Sequence, residues 1–384
     1  MDNSYKIRLT TLSPLSIKSG EEIRFYEIFE GEEYVYFINK NLLLKKLSKA
    51  GENLDITFIN KMTNMVMHTG NTKLLNLQTF LKEECGIALE EKLDKELLEE
   101  LSYYKIKKKV SEVKNTIYPF IRDAYKKPFI PGSSIKGAIR TSILASIFDN
   151  QIEDNNKNYN NVNWKSNGKY NALVNRFFVK DNIVNFEGAQ DYKQKKYDAK
   201  NDFFRFIQIS DAKLIGEDNS ELINFKVHGM KSNSGTPLFE QEVIPQNTEF
   251  EFSVKLNKQG LESWKKEFAR LGIQKNDSFP TNFDDILFFT KAFSDKIITK
   301  EKKYWNNNKN LSEFYNSIED ELELIRIGNG SGAHSITLVN ELDTIGFQIH
   351  GKKGVLNNPK TRKMVTRLNG SMEPFGWCKM EEIE

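Results

Sequence analysis

The most informative stretch of the sequence lies at residues 128–141, and it reads Pro128-Phe129-Ile130-Pro131-Gly132-Ser133-Ser134-Ile135-Lys136-Gly137-Ala138-Ile139-Arg140-Thr141. Two prolines and a glycine predict a stiff turn at its start. Ser133 or Ser134 is then expected to cap an apolar helix that runs to Phe148. The N-terminus of a helix presents unpaired N–H groups and the positive end of the helix dipole, so this stretch is suited to bind a phosphate.

Two basic residues in the same stretch favour this interpretation. Lys136 and Arg140 are spaced i, i+4 and share one face of the predicted helix, and Gly137 leaves room for another backbone to approach. We therefore predict an anion-binding site whose residues are Gly132, Ser133, Ser134, Lys136, Gly137 and Arg140. The alternatives are an ordinary capped helix with solvated cations, or cations that pair with acidic residues of a neighbouring domain. The stretch is not a Walker loop, because the G-x-x-x-x-G-K-[ST] spacing is missing.

A second candidate is the glycine-rich loop after Arg326, which has glycines at alternate positions, Gly328, Gly330 and Gly332, with Ser331 between the last two. Backbone N–H groups in such a loop can cradle phosphate oxygens. Flexible turns have the same composition, so the alternative is a simple turn. The loop does not match the dinucleotide-binding fingerprint, since no strand–loop–helix unit with a downstream acid surrounds it.

His334 lies beside the glycine-rich loop, two residues after Gly332. It can act as a general base or contact a phosphate. The structural alternative is that it caps a helix or fills a polar pocket.

Basic stretches occur at residues 105–109, 193–196 and 352–367. Each is typical of a solvated surface as much as of a binding site. The third is the best candidate, because it is flanked by glycine and few acidic residues offset it, and we take Lys352 and Lys353 as its binding residues.

Composition excludes several classes of protein. The chain has 384 residues, with 56 Lys plus Arg against 53 Asp plus Glu, so its net charge is only +3. Binding to a polyanion must therefore come from local patches. No apolar run reaches the roughly eighteen residues of a membrane span and the N-terminus lacks a secretory pattern, so a cytoplasmic protein is expected. Two cysteines and four scattered histidines predict no metal site, and no catalytic group or cofactor is expected.

The order of predicted elements indicates an α+β fold with antiparallel sheets. Strand patterns occur at residues 5–12, 33–38, 222–227, 238–244 and 250–256, and a helix-rich block follows at 261–324. Residues 58–110 are interpreted as a helical insertion. Residues 150–202 are rich in Asn, Lys and Asp, and we expect a flexible, exposed insertion there.

These motifs resemble the RAMP superfamily, whose members build CRISPR effector complexes. Its marker box is matched at residues 131–140, its early turn at 14–20 and its late glycine-rich loop at 328–332. Within the superfamily, the segments 209–212, 237–242 and 376–380 are most similar to a subunit of type III-A (Csm) complexes.

The resemblance implies two ferredoxin-like (RRM-like) domains, at residues 1–256 with both insertions and at residues 257–384 with the glycine-rich loop. It implies a non-catalytic subunit that contacts the backbone of guide RNA (crRNA), caps its 3′ end, and meets the neighbouring RAMP backbone subunit and the small subunit. Support of 3′-end maturation through a host nuclease, contact with target RNA, and a role in antiviral defence are implied as well. Lys18 and Arg326 are further expected RNA contacts.

Two other functions stay open. One is a RAMP endoribonuclease that processes the guide precursor with a catalytic histidine, although no histidine lies in the first 67 residues. The other is a scaffold that binds protein only. In the backbone subunits of the family an early-loop Asp cuts target RNA, whereas this chain offers Glu21, Glu22 and Glu27 there and no Asp.

Overall fold

The protein is described here by a computed structural model. The structure describes residues 3–49, 77–85, 90–114, 116–154, 202–229, 238–270, 279–338, 350–351, 354–355 and 361–383.

The strands are β1 (Asn3–Thr11), β2 (Ile28–Glu30), β3 (Tyr34–Ile38), β4 (Ser102–Lys108), β5 (Ile117–Tyr118), β6 (Phe129–Ile130), β7 (Ile207–Ile209), β8 (Ala212–Leu214), β9 (Glu221–Gly229), β10 (Phe239–Val243), β11 (Glu249–Leu256), β12 (Leu324–Arg326), β13 (His350–Gly351), β14 (Gly354–Val355), β15 (Thr361–Thr366), β16 (Met372–Pro374) and β17 (Trp377–Ile383). The α-helices are α1 (Lys40–Lys49), α2 (Leu77–Cys85), α3 (Glu91–Glu100), α4 (Gly132–Asp154), α5 (Lys258–Arg270), α6 (Phe283–Tyr304), α7 (Lys309–Glu319) and α8 (Ala333–Ile336). Single 3₁₀ turns lie at Phe25–Glu27 and Phe203–Phe206.

The first sheet has the strand order β12-β17-β1-β11-β8-β6, with β7 also paired to β11. Its pairs are antiparallel. Alternate residues of β1 point into the core, since Ile7 and Leu9 are fully buried and lie opposite Phe252 and Phe250 of β11. This alternation is the period of a strand with one buried face, and it sets the register of the sheet.

Helices α4 and α6 pack against each other and over the first sheet. The isoleucines of α4 at positions 135, 139 and 143 are fully buried, which is the spacing that places side chains on one helix face. Helix α6 begins at a capping box in which the Asn282 side chain accepts from the Asp285 N–H group. The fold therefore anchors the 128–141 stretch in the main core.

The second sheet has the order β16-β15-β9-β4-β3-β2, and β10 joins β9 to β5. Two of its pairs, β4 with β9 and β5 with β10, are parallel, and the others are antiparallel. Leu81 of α2 and Leu98 of α3 pack with Phe29 and Tyr36 of this sheet. A separate hairpin pairs β13 with β14.

The α+β class with antiparallel sheets is confirmed. The helical interpretation of residues 58–110 is wrong at its end, where residues 102–108 form β4. Tyr103, Tyr104 and Ile106 favour a strand, and pairing with β3 outweighs the helical preference of the lysines. Helix α4 also continues to Asp154, into the segment predicted to be flexible, while residues 155–201 lie outside the described residues.

Both large sheets contain strands from either side of residue 256. A domain boundary at residue 256 therefore places strands of each sheet in both domains. None of the described helices is long and apolar enough to cross a membrane.

Candidate nucleic-acid interface

The 128–141 stretch packs closely against the segment that contains β7 and β8. The Gly132 N–H group donates to Asp211 Oδ1 at 2.7 Å, and a Cβ atom at Gly132 would lie 2.4 Å from the carbonyl oxygen of Ile209. A side chain does not fit in this space, so the glycine allows α4 to begin at residue 132. The helix thus starts before both serines that the sequence predicts as caps.

The two cations of this stretch have partners inside the protein. Lys136 Nζ donates to the Ile207 carbonyl oxygen at 2.7 Å, and burial lowers the pKa of its ammonium group. Arg140 Nη1 donates to both carboxylate oxygens of Asp202, at 3.0 and 2.8 Å. Asp202 is buried and also accepts from the Phe204 N–H group. These bonds hold α4 to residues 202–207.

The outer surface of α4 remains open between these anchors. Ser133 and Gly137 are exposed, Ser134 is partly buried, and a Cβ atom at Gly137 would meet no atom within 4 Å. The predicted site therefore has small residues at the surface. Its two cations instead bind a backbone carbonyl oxygen and a carboxylate of the protein itself.

Replacing Arg140 by alanine tests this arrangement. The change leaves the buried Asp202 carboxylate without its guanidinium partner. Because Arg140 is partly exposed, solvent screens part of this pairing, and we expect the free energy of unfolding to fall by about 2 kcal/mol or more. Denaturant unfolding measures it, and the paired variant Arg140→Met/Asp202→Asn should regain part of the loss. Unchanged stability together with lost RNA affinity would instead make Arg140 an RNA contact.

The glycine-rich loop folds back onto the early turn at residues 14–20. Gly328 and Gly330 have φ angles of 84° and 95°, and a Cβ atom at Gly328 would lie 2.4 Å from the Ser16 carbonyl oxygen. The Asn329 N–H group donates to that same oxygen at 2.7 Å. The early turn and the glycine-rich loop are thus joined, although more than 300 residues separate them along the chain.

Arg326 and His334 lie inside the fold, on either side of this loop. Arg326 is buried, its Nε donates to the Phe375 carbonyl oxygen at 3.0 Å, and its guanidinium lies 5.0 Å from the Trp377 ring centre. His334 is buried in α8. Gly332 is exposed and Ser331 is buried, where its hydroxyl donates to the Gly328 carbonyl oxygen. The surface of the loop is therefore mostly backbone.

Two lysines converge beside the loop, and we call Lys18 and Lys363 the lysine pair. Lys18 Nζ lies 3.4 Å from the centre of the Tyr118 ring, and Lys363 Nζ donates to Asn329 Oδ1 at 3.2 Å. Both side chains are partly buried.

The electrostatics of the lysine pair are unfavourable without an anion. Burial lowers the pKa of both ammonium groups, and the charge of Lys363 lowers the pKa of Lys18 further, against a weaker opposing effect of Glu22. Neither lysine forms a salt bridge with any residue of the described ranges. Because two like charges gain by sharing a counterion, this position favours a phosphate.

The other basic residues of β15 and the turn after it are neutralised within the protein. Arg362 Nε donates to buried Glu301 at 2.7 Å, and Arg367 pairs with Glu221 and Glu373 at 2.9 and 2.8 Å. Lys363 therefore differs from both. The sequence selects Lys352 and Lys353 from this stretch, which lie outside the described residues. In β15, Lys363 lies between the buried residues Arg362 and Met364. A lysine at such a position in a strand is the feature that distinguishes Lys363.

Comparison with known proteins identifies the family. The model of the RAMP superfamily matches residues 8–333. The chain belongs to the RAMP superfamily. The 128–141 stretch, the early turn and the glycine-rich loop all lie within the matched range.

Relatives of this RAMP chain extend over most of its length. It is 26% identical over 387 residues to the CRISPR system Cms protein Csm5 of Streptococcus thermophilus, covering 95% of this chain and 90% of that protein. It is 22% identical over 417 residues to the protein of the same name from Methanocaldococcus jannaschii, covering 99% and 89%.

Two solved structures share the fold. One is a chain in a cryo-EM structure of a Csm–crRNA–target RNA ternary complex of a type III-A CRISPR-Cas system, with a TM-score of 0.68, 20% identity, and coverage of 99% of this chain and 100% of that one. The other is the crystal structure of T. onnurineus Csm5, with a TM-score of 0.66, 18% identity, and coverage of 97% and 99%.

Proposed function

We propose that this RAMP chain is a Csm5-type subunit of a type III-A CRISPR effector complex. In this role it binds guide RNA near the 3′ end, caps the backbone filament and supports 3′-end maturation of the guide in antiviral defence. Similarity to Csm5 proteins over 95% and 99% of the chain supports the assignment.

The lysine pair is the observation that carries RNA binding. Two partly buried ammonium groups without a salt bridge in the described ranges lie beside a loop that exposes backbone. Contacts of this kind bind phosphates irrespective of base sequence, which suits a subunit that must accept every guide. The small residues exposed on α4 add a surface that an RNA backbone can approach.

The proposed partners are crRNA, target RNA, the neighbouring RAMP backbone subunit and the small subunit. A host nuclease that trims the guide is a further proposed partner, and it rests on the family resemblance alone.

The proposed role is non-catalytic. His334, the histidine beside the loop, is buried, and the early turn is followed by Glu21, Glu22 and Glu27 in place of an Asp. Within the described residues, no three acidic, cysteine or histidine side chains are grouped as metal ligands.

The proposal includes two ferredoxin-like domains, as the family resemblance implies. Two mainly antiparallel sheets with helices packed on them support it. Because each sheet contains strands from both sides of residue 256, we assign one ferredoxin-like domain to each sheet and not to each half of the sequence.

Assembly with and without the chain tests the function. The other subunits and a guide precursor are coexpressed, and the 3′ ends of the copurified guides are sequenced. We expect uniform 3′ ends with the chain present and heterogeneous ends without it. Identical ends, or incorporation that is insensitive to salt with no RNA protected by the chain, would indicate a protein-only scaffold.

A further inference from the structure

A cleft of about 530 Å³ opens next to the lysine pair, between residues 19–27, the end of β3, the start of β4 and residues 119–126. Its volume falls in the range of pockets that hold small organic ligands, about 300–1,000 Å³.

The inner wall of the cleft contains aromatic rings and charges that are paired. The Tyr104 ring stacks on Phe37, with ring centres 4.3 Å apart and planes 11° apart, and the Arg122 guanidinium lies 3.9 Å from its centre. Arg122 is neutralised by buried Glu242 and by Asp218. At the rim, Lys40 pairs with Glu27 at 2.6 Å. Since these charges are paired, the interior suits a planar polar ring better than a phosphate.

The mouth of the cleft carries one aromatic ring and one cation. Tyr103 is 49% exposed, and Lys126 Nζ lies 4.9 Å from its ring centre. Lys126 forms no salt bridge with any residue that the structure describes. Aromatic rings alternating with cations are typical of surfaces that bind single-stranded nucleic acid.

The turn that presents Lys126 is held rigidly. Asp123 Oδ1 accepts from the Tyr125 and Lys127 N–H groups, both at 2.9 Å, and Arg122 Nη1 donates to the Lys126 carbonyl oxygen at 2.5 Å. Lys126 itself has a φ angle of 63°, a conformation that lysine rarely adopts. These bonds hold the backbone of the turn beside the cleft before any ligand arrives.

The cleft begins at the residue that follows Lys18. Lys18 forms an isolated bridge with Phe120, and the Ser19 N–H group donates to the Pro119 carbonyl oxygen at 3.2 Å. Ser19, Pro119 and Phe120 all line the cleft. Lys18 and the lining of the cleft therefore belong to the same two neighbouring segments.

We propose that the cleft holds one unpaired base of the bound RNA, an inference that rests on the proposed function. The base stacks on Tyr103 at the mouth, and Lys126 contacts the phosphate that follows it. Glu21, an exposed carboxylate on the lining, accepts a hydrogen bond from a base amino group or a ribose hydroxyl. The same strand is thus bound by its phosphates at the lysine pair and by a base in the cleft.

The test combines protein variants with abasic RNA. The full chain is titrated with a fluorescent single-stranded RNA, and each nucleotide in turn is made abasic. We expect Tyr103→Ala to weaken binding about tenfold, within the range of base–aromatic stacking. One abasic position should weaken binding to the wild type equally and have no effect on Tyr103→Ala.

Matched variants separate the cleft from its surroundings. Tyr103→Phe should bind like the wild type, and Lys126→Ala should weaken binding whereas Lys127→Ala, on the same exposed turn but outside the lining, should not. Equal affinity of Tyr103→Ala and the wild type, or equal sensitivity of both to every abasic position, would overturn the inference. If lysine-pair variants still lose RNA in that case, the proposed function stands and only the cleft is excluded.

Discussion

Reversing the lysine pair, Lys18→Glu/Lys363→Glu, should remove the chain from the guide-containing complex. The change places two carboxylates where we propose that a phosphate binds, so attraction becomes repulsion at a partly buried position, where solvent screens little. We expect RNA affinity of the purified chain to fall at least 100-fold, an effect of about 2.7 kcal/mol. Fluorescence anisotropy measures it directly, and copurification with tagged subunits gives the result in the assembly.

A neutral variant and a matched charge reversal make this result specific. Lys18→Gln/Lys363→Gln should reduce the slope of log affinity against log salt by about 0.7, because the two lysines share one phosphate and each phosphate contact on single-stranded RNA contributes about 0.7. Lys213→Glu/Lys255→Glu changes the net charge equally on the first sheet, where both lysines are exposed, and should retain RNA binding. Equal loss in both charge reversals would mean that only net charge matters.

Gly376→Ala should cause the largest loss of stability, more than about 3 kcal/mol. Gly376 has a φ angle of 82°, and a Cβ atom there would lie 2.0 Å from the Ile327 carbonyl oxygen. The same residue joins two segments, since its N–H group donates to the Pro14 carbonyl oxygen and its carbonyl oxygen accepts from the Ile327 N–H group. The methyl group must therefore separate the early turn from the glycine-rich loop.

Gly370→Ala is the matched control for this prediction. Gly370 has nearly the same φ angle, 81°, but a Cβ atom there meets nothing within 4 Å. Gly370→Ala should therefore lower the free energy of unfolding by the backbone strain alone, about 1–2 kcal/mol. Thermal and denaturant unfolding of both variants give the comparison, and equal losses would show that the contact with Ile327 has no effect.

The sequence predicted those features that depend on neighbours along the chain. The alternation in β1 and β11 and the isoleucine spacing in α4 are local patterns, and they predict the α+β class and several strands with nearly correct bounds. Residues 102–108 were misinterpreted because lysines and aromatic residues together fit a helix or a strand, and pairing with β3 decides between them.

The binding surface depends on contacts that no local pattern contains. The partner of Arg140 lies 62 residues away along the chain, and the sequence does not reveal that Asp202 is buried beside it. Likewise, the charge of Lys363 acts on Lys18 only because the early turn, the glycine-rich loop and β15 converge. Residue type and spacing therefore select candidate segments, while burial and pairing determine which of their cations are already neutralised within the protein.

The position of β17 between β1 and β12 has a consequence for synthesis on the ribosome. Both neighbours emerge earlier, so β1 keeps an unpaired edge until residues 377–383 have left the exit tunnel. Open edges are templates for pairing with other chains, and pairing between distant segments is slow. The first sheet therefore closes only after residues 377–383 have been translated. Until then, chaperones must protect the open edge of β1 in the nascent chain.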